Sequence, residues 1–212
     1  MTWDACVRLG DYDGLLRDAV AEVKFTAWRS LGRALGRELG AIIAQRLGQA
    51  GVPPERVALV PMPTTLWRRM FRGVDHTLVL TRGVRELLPG ARILHPLSRR
   101  HRPSQLDVPP SQRRANVART MAPRPRVSLP PGIEVLIVVD DVMTTGATMR
   151  EACRALRQWL ATSPGGPARL SAVIQAPGGP PKPQSVWAAV VAGPATEGRR
   201  VPDSDDPQIE DH

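Results

Sequence analysis

Apolar positions recur at helical spacing twice in the first fifty residues. Leu15, Leu16, Ala19, Val20 and Val23 share one face of a helix over residues 14–25. Leu31, Leu35, Leu39, Ile42, Ile43 and Leu47 do the same over residues 28–48. Gly51-Val52-Pro53-Pro54 stops that pattern, because proline lacks an N–H and clashes with the preceding turn. Val57-Ala58-Leu59-Val60 has no polar face and predicts a short buried strand ending at Pro61-Met62-Pro63. A third helix is expected over 74–88 (Leu78, Val79, Val84, Leu87, Leu88), followed by a short strand at 92–95. The pattern lapses over 97–131, which is dense in Arg, Pro, Ser and Gln and too long for a simple connection. It returns at 133–139, a β-branched run of the kind a parallel sheet buries on both faces. A helix over 146–160 carries Met149, Ala152, Cys153, Leu156, Trp159 and Leu160 on one stripe, and strands are expected at 170–176 and 186–192. Alternation of strand and helix predicts an α/β fold, a parallel sheet flanked by helices. We divide the chain into an N-terminal helical segment at 1–50, part of the main domain, a body at 51–195 containing the basic stretch 97–131, and an acidic tail at 196–212 expected to be disordered.

Composition narrows the classes. No stretch approaches the ~20 apolar residues of a membrane span, and Met1 to Cys6 lack the basic start and apolar run of a secretory leader. A cytoplasmic location is therefore expected. Cys6 and Cys153 are too few and too far apart for a disulfide framework or a zinc cluster, so no zinc is expected; His76, His95, His101 and His212 have no metal spacing either.

Charge adds more. The net charge is +9, but the stretch from Thr196 onward contributes −4, leaving +13 on the rest. A coding bias accounts for Arg over Lys, since Lys24 and Lys182 are the only lysines, but not for the excess of bases over acids. A basic body calls for an anionic partner: nucleic acid, a phosphorylated small molecule, or both.

The sharpest local signal is Val138-Val139-Asp140-Asp141-Val142-Met143-Thr144-Thr145-Gly146-Ala147-Thr148. A buried strand ends in two carboxylates, and a short hydroxyl-rich loop then opens a helix. Ligands of open α/β sheets bind beyond the carboxyl ends of strands. A helix start offers unpaired N–H groups and partial positive charge to a phosphate, and Gly146 lets backbone approach closely. Carboxylates accept from sugar hydroxyls and attract Mg²⁺. The pattern fits a phosphorylated ribose, with its hydroxyls on Asp140 and Asp141 and its 5′-phosphate on Met143, Thr144, Thr145, Gly146, Ala147 and Thr148.

This run resembles the motif by which type I phosphoribosyltransferases bind phosphoribosyl pyrophosphate (PRPP): two acids and Thr-Thr-Gly-Ala-Thr after a hydrophobic strand. Further segments resemble the ComF (competence protein F) family: Val60-Pro61-Met62-Pro63, then Arg68-Arg69 and Arg72-Gly73; Ser104-Gln105-Leu106, then Arg113-Arg114 and Asn116-Val117; and Tyr12-Asp13-Gly14 with Val23-Lys24-Phe25. The likeness spans roughly residues 9–176. The family's four-cysteine ribbon has no counterpart here, and Val74-Asp75-His76 stands where the family carries Phe-Asn-Gln.

The resemblance implies a phosphoribosyltransferase-type glycosyltransferase acting on Mg·PRPP, with Asp140 and Asp141 at the reacting sugar and Mg²⁺ held mainly through the ligand. It implies that the loop with Pro63 and Thr64, helped by Arg68, Arg69 and Arg72, receives pyrophosphate, since guanidinium binds phosphate bidentately. It also implies a mobile hood carrying Arg99, Arg100, Gln105, Arg113, Arg114 and Asn116, and a role in DNA uptake during natural transformation beside a helicase-like competence protein. Two other readings stand beside catalysis: a PRPP or nucleotide sensor without turnover, and an accessory that handles single-stranded DNA. The acceptor base and the oligomeric state are not legible.

Overall fold

The computed structural model describes residues 3–25, 28–64, 75–99, 120–163 and 185–193. Their elements in chain order are β1 (Ala5–Asp11), α1 (Gly14–Phe25), α2 (Arg29–Gln49), a 3-10 turn (Pro54–Arg56), β2 (Val57–Pro61), α3 (His76–Glu86), β3 (Arg92–Ile93), β4 (Leu97–Arg99), β5 (Met121–Pro123), β6 (Val135–Val142), α4 (Ala147–Thr162) and β7 (Ser185–Gly193). Five strands form one sheet in the order β1-β7-β6-β2-β3, and every pairing is parallel. The expected α/β architecture is therefore present.

Side chains alternate across a strand, and this splits the core in two. Val135, Ile137 and Val139 of β6 face Val20 of α1, Leu39, Ile43 and Leu47 of α2, and Leu80 and Val84 of α3. Leu136 and Val138 face the other way, onto Met149, Ala152, Cys153, Leu156 and Trp159 of α4. The result is three layers, with α1, α2 and α3 on one face and α4 on the other. Burial on both sides explains why β2, β6 and β7 have almost no polar positions.

Three expectations are adjusted. The first fifty residues supply a sheet strand as well as helices, because Ala5–Asp11 pairs along β7. Leu15 of α1 points to solvent at 89% exposure, whereas Val20 and Val23 are buried. On α2 the buried face is Gly32, Gly36, Leu39, Gly40, Ile43 and Leu47, while Leu31, Leu35 and Ile42 are only half-buried. Glycines at i, i+4 and i+8 let α3 approach where a stripe of leucines would hold it off. The strand expected at 170–176 and the tail at 196–212 lie outside the described residues.

The arginine-rich stretch is bracketed by order. β4 and β5 form a two-stranded antiparallel ribbon, with Leu97 opposite Pro123 and Arg99 opposite Met121. The ribbon is clasped to α4. Glu151 accepts from Met121 N at 3.4 Å, and Arg154 donates to Met121 O at 3.4 Å while it pairs with Glu151 at 2.9 Å. Trp159 Nε1 donates to Val127 O at 2.9 Å, pinning the return segment.

Candidate functional site

The strand order reverses between β2 and β6. From β2 the chain moves outward through α3 to β3; from β6 it moves the opposite way through α4 to β7. Helices leave on opposite faces at such a point, and a crevice opens at the carboxyl ends of the two strands. The carboxyl end of β2 is Pro61, followed by Met62-Pro63-Thr64, and Met62 N donates to Val139 O at 2.8 Å. The carboxyl end of β6 carries Asp140 and Asp141. Sequence and topology thus bring both acids beside the Pro63–Thr64 turn.

The strand, expected to end in the two acids, continues through them to Val142. Successive residues of a strand face opposite sides. Asp140 therefore shares the face of Leu136 and Val138, toward α4, and Asp141 shares the face of Ile137 and Val139, toward α3. Both are buried, at 9% and 7% exposure. Each uses one oxygen locally: Asp140 Oδ1 accepts from Asp141 N at 3.0 Å, and Asp141 Oδ1 accepts from Val142 N at 2.7 Å. The second oxygen of Asp141 lies 3.2 Å from Nε2 of His76, the first residue of α3.

The loop after β6 is built for close approach. Met143 N donates to Ala192 O at 2.9 Å, which extends the ladder with β7 by one step. Thr144 and Thr145 are exposed, and Gly146 caps α4 at φ 68°, a left-handed conformation that favours glycine. Gly146 at the N-cap has no side chain to cap the helix, so most N–H groups of its first turn are left for an outside acceptor. Ala147 N makes a long bond of 3.4 Å to Thr145 Oγ1, and Arg150 Nη2 donates to Thr145 O at 2.8 Å, bracing the loop from one turn inside the helix.

On the β2 side, Thr64 Oγ1 donates to Asp75 Oδ2 at 3.2 Å. Asp75 caps α3, accepting from Leu78 N at 3.3 Å and from Thr77 Oγ1 at 2.8 Å. The single Thr77 hydroxyl proton is shared between that carboxylate and Met62 O, which lies 3.0 Å from Oγ1. The exit of β2 and the first turn of α3 are therefore one hydrogen-bonded unit.

Of the candidate residues, Asp140, Asp141, Met143 to Thr148, Pro63 and Thr64 come together at this edge of the sheet. Arg99 lies on β4 in the ribbon. Arg68, Arg69, Arg72, Arg100, Gln105, Arg113, Arg114 and Asn116 lie outside the described residues. Sequence reasoning did not assign His76, Arg150 or the Glu151–Arg154 pair. Only the last left a signal, acid and base three apart on a helix. Among the described residues no three His, Cys, Asp or Glu side chains gather to hold a metal. Asp140 and Asp141, each with an oxygen already occupied, fit a Mg²⁺ that arrives with an anionic ligand better than one caged by protein alone.

No family model matches the chain. It is 28% identical over 158 residues to the DNA utilization protein YhgH of Salmonella typhi, covering 73% of this chain and 66% of that protein. It is 27% identical over 168 residues to Competence protein F of Haemophilus influenzae, covering 74% and 68% respectively. The chain is thus similar to ComF-type proteins over about three quarters of its length. It spans about two thirds of the length of these relatives. Among the described residues, no helix is long and apolar enough to cross a membrane.

Proposed function

We propose that this ComF-like chain binds Mg·PRPP, or a nucleotide bearing the same ribose 5-phosphate, in the crevice between the carboxyl ends of β2 and β6. One observation carries the reading. A strand end bearing two buried acids leads within four residues to an uncapped helix start, at the point where the strand order reverses. Asp140 and Asp141 accept from the ribose hydroxyls, and residues 143–148 donate to the 5′-phosphate. The Pro63–Thr64 turn, with Arg68, Arg69 and Arg72, receives pyrophosphate.

Turnover would break the bond from C1 to the pyrophosphate oxygen and form a bond from C1 to a nitrogen nucleophile. Pyrophosphate would leave as an anion whose charge Mg²⁺ would help offset, the proton lost by the nitrogen would pass to solvent, and the transition state would have oxocarbenium character. The protein's part is to hold the reactants in line and stabilise the departing charge. The ordered ribbon β4–β5, fixed to α4, lies within the stretch 97–131 expected to act as the hood, and its attachment supports that reading.

Titration calorimetry with Mg·PRPP, together with pyrophosphate release in the presence of a panel of nitrogenous bases, tests the reading. Uptake lost in Asp140→Asn or Asp141→Asn is expected, and release of pyrophosphate marks an enzyme. Uptake without release favours a sensor. Absence of uptake by folded protein overturns the proposal.

A second reading, a role in handling DNA, rests on the names of the relatives and on the +13 carried outside the tail. A phosphate-tracking surface predicts binding of single strands that weakens steeply with salt. Fluorescence anisotropy of a labelled oligonucleotide at two salt concentrations reads it directly, and binding that ignores salt argues against it.

A further inference from the structure

We propose that His76 is a positioning residue of the sugar site, holding the carboxylate of Asp141 in the orientation in which it meets the ligand. The inference rests on the reading that Asp141 contacts the ribose. A carboxylate held through one oxygen can still turn about its last bond. In Asp141, Val142 N donates to Oδ1 at 2.7 Å, and His76 Nε2 stands 3.2 Å from Oδ2 in a close polar contact rather than an aligned hydrogen bond. A carboxylate only accepts, so the contact is favourable when Nε2 carries the proton. The two contacts come from different elements, β6 itself and the first turn of α3, and both bear on the orientation of the group. At 7% exposure Asp141 has little water to replace either one.

His76 is fixed in turn. It follows Asp75, whose carboxylate caps α3 and accepts from Thr64, while Thr77 ties to Met62 O. The imidazole is itself buried at 9% exposure. The exit of β2, the start of α3 and the acid of β6 thus form one connected set. A ligand seated between β2 and β6 meets an acid whose geometry is set from the α3 side.

The test compares four full-length proteins by titration calorimetry with Mg·PRPP: wild type, Asp141→Asn, His76→Leu and His76→Gln. Thermal denaturation of each serves as a control for folding. Glutamine keeps an N–H donor at similar reach; leucine fills the space without one. His76→Leu is expected to bind about tenfold more weakly, the loss expected for one polar contact to a charged group. His76→Gln is expected to stay within a small factor of wild type, a rescue that loss of packing alone would not give. Should His76→Leu fail to fold, His76→Asn takes its place, since its donor is too short to reach Oδ2, and loss of binding is again expected.

Failure of the two ideas looks different. Wild type that takes up no Mg·PRPP, or Asp141→Asn that binds as wild type, removes the ligand reading and this inference with it. Wild-type uptake that is lost in Asp141→Asn yet unchanged in His76→Leu overturns the inference alone. Equal loss in His76→Leu and His76→Gln does so too.

Discussion

Gly36 on α2 and Gly83 on α3 meet backbone to backbone: a methyl group added to Gly36 would come within 3.0 Å of the Gly83 Cα and run into the Leu80 carbonyl oxygen. A methyl group on Gly83 would come within 2.9 Å of the Gly36 Cα and strike the Arg33 carbonyl oxygen. Neither obstacle is a side chain that can swing away. Gly83→Ala should therefore destabilise the protein by about 1–3 kcal/mol, the usual cost of overpacking. Gly48, also on α2, has nothing within 4 Å of the same position. There alanine should stabilise by roughly 0.5–1 kcal/mol through helix propensity alone. Denaturant midpoints of the two variants should move in opposite directions.

The cap of α3 should be separable from its charge. Asp75→Asn keeps an oxygen that can accept from Leu78 N, whereas Asp75→Ala removes the acceptor shared by Leu78, Thr77 and Thr64. The alanine variant should lose about 1 kcal/mol and the asparagine variant only a fraction of it. Equal losses in urea melts would mean that the charge matters and the cap does not.

Glu151 is buried at 7% exposure and is bonded to Arg154 and to the backbone of Met121. Glu151→Ala leaves the Met121 N–H without its acceptor and should cost about 1–3 kcal/mol. Hydrogen exchange should show the loss first at residues 121–123, where β5 is held to α4. Unchanged protection there would detach the ribbon's stability from this residue.

The two thiols should react unequally. Burial pushes the Cys153 thiol up to about 12, against weaker lowering by Arg157. Cys6 is also raised by desolvation, with Arg8 opposing, but it sits exposed on the edge strand. The thiolate is the reactive form. Iodoacetamide at pH 8 should therefore label Cys6, slowly, and leave Cys153 intact until the protein unfolds, as counted by mass spectrometry. The sign for stability follows. An unfolded thiol titrates near its ordinary value of 9.0, below the buried one, so unfolding releases a proton between pH 9 and about 12. Stability should fall across that window, and less so in Cys153→Ala.

Much of the fold was legible in sequence because both faces of the central strands are covered. Val57–Pro61, Val135–Val142 and Ser185–Gly193 are apolar runs with no competing pattern. β1 was not legible, because an edge strand needs little apolar surface: of its seven residues only Val7 is buried. Its pairing with β7 is a tertiary fact. The glycine face of α2 was missed for a related reason, since a residue without a side chain contributes nothing to hydrophobic periodicity. At the site, the acids and the Thr-Thr-Gly-Ala-Thr loop stood out from local chemistry. The opposite facing of Asp140 and Asp141 required the strand to run two residues further than the apolar pattern suggested. His76 stood out only as part of Val74-Asp75-His76; its approach to Asp141 left no trace, because the two lie sixty-five positions apart on different elements.

β1 and β7 lie side by side in the sheet, although Ala5 and its partner Trp187 are separated by nearly the whole chain. Asp4 reaches across the same gap to Val186 and to Arg157. β1 leaves the ribosome long before β7 and must wait for it before it finds its neighbour. Contacts of such long range close late and slowly. During synthesis the nascent α2–α3 pair and β2 can associate early, while β1 stays unpaired with its edge open, the interval in which a growing chain is most exposed to wrong strand partners.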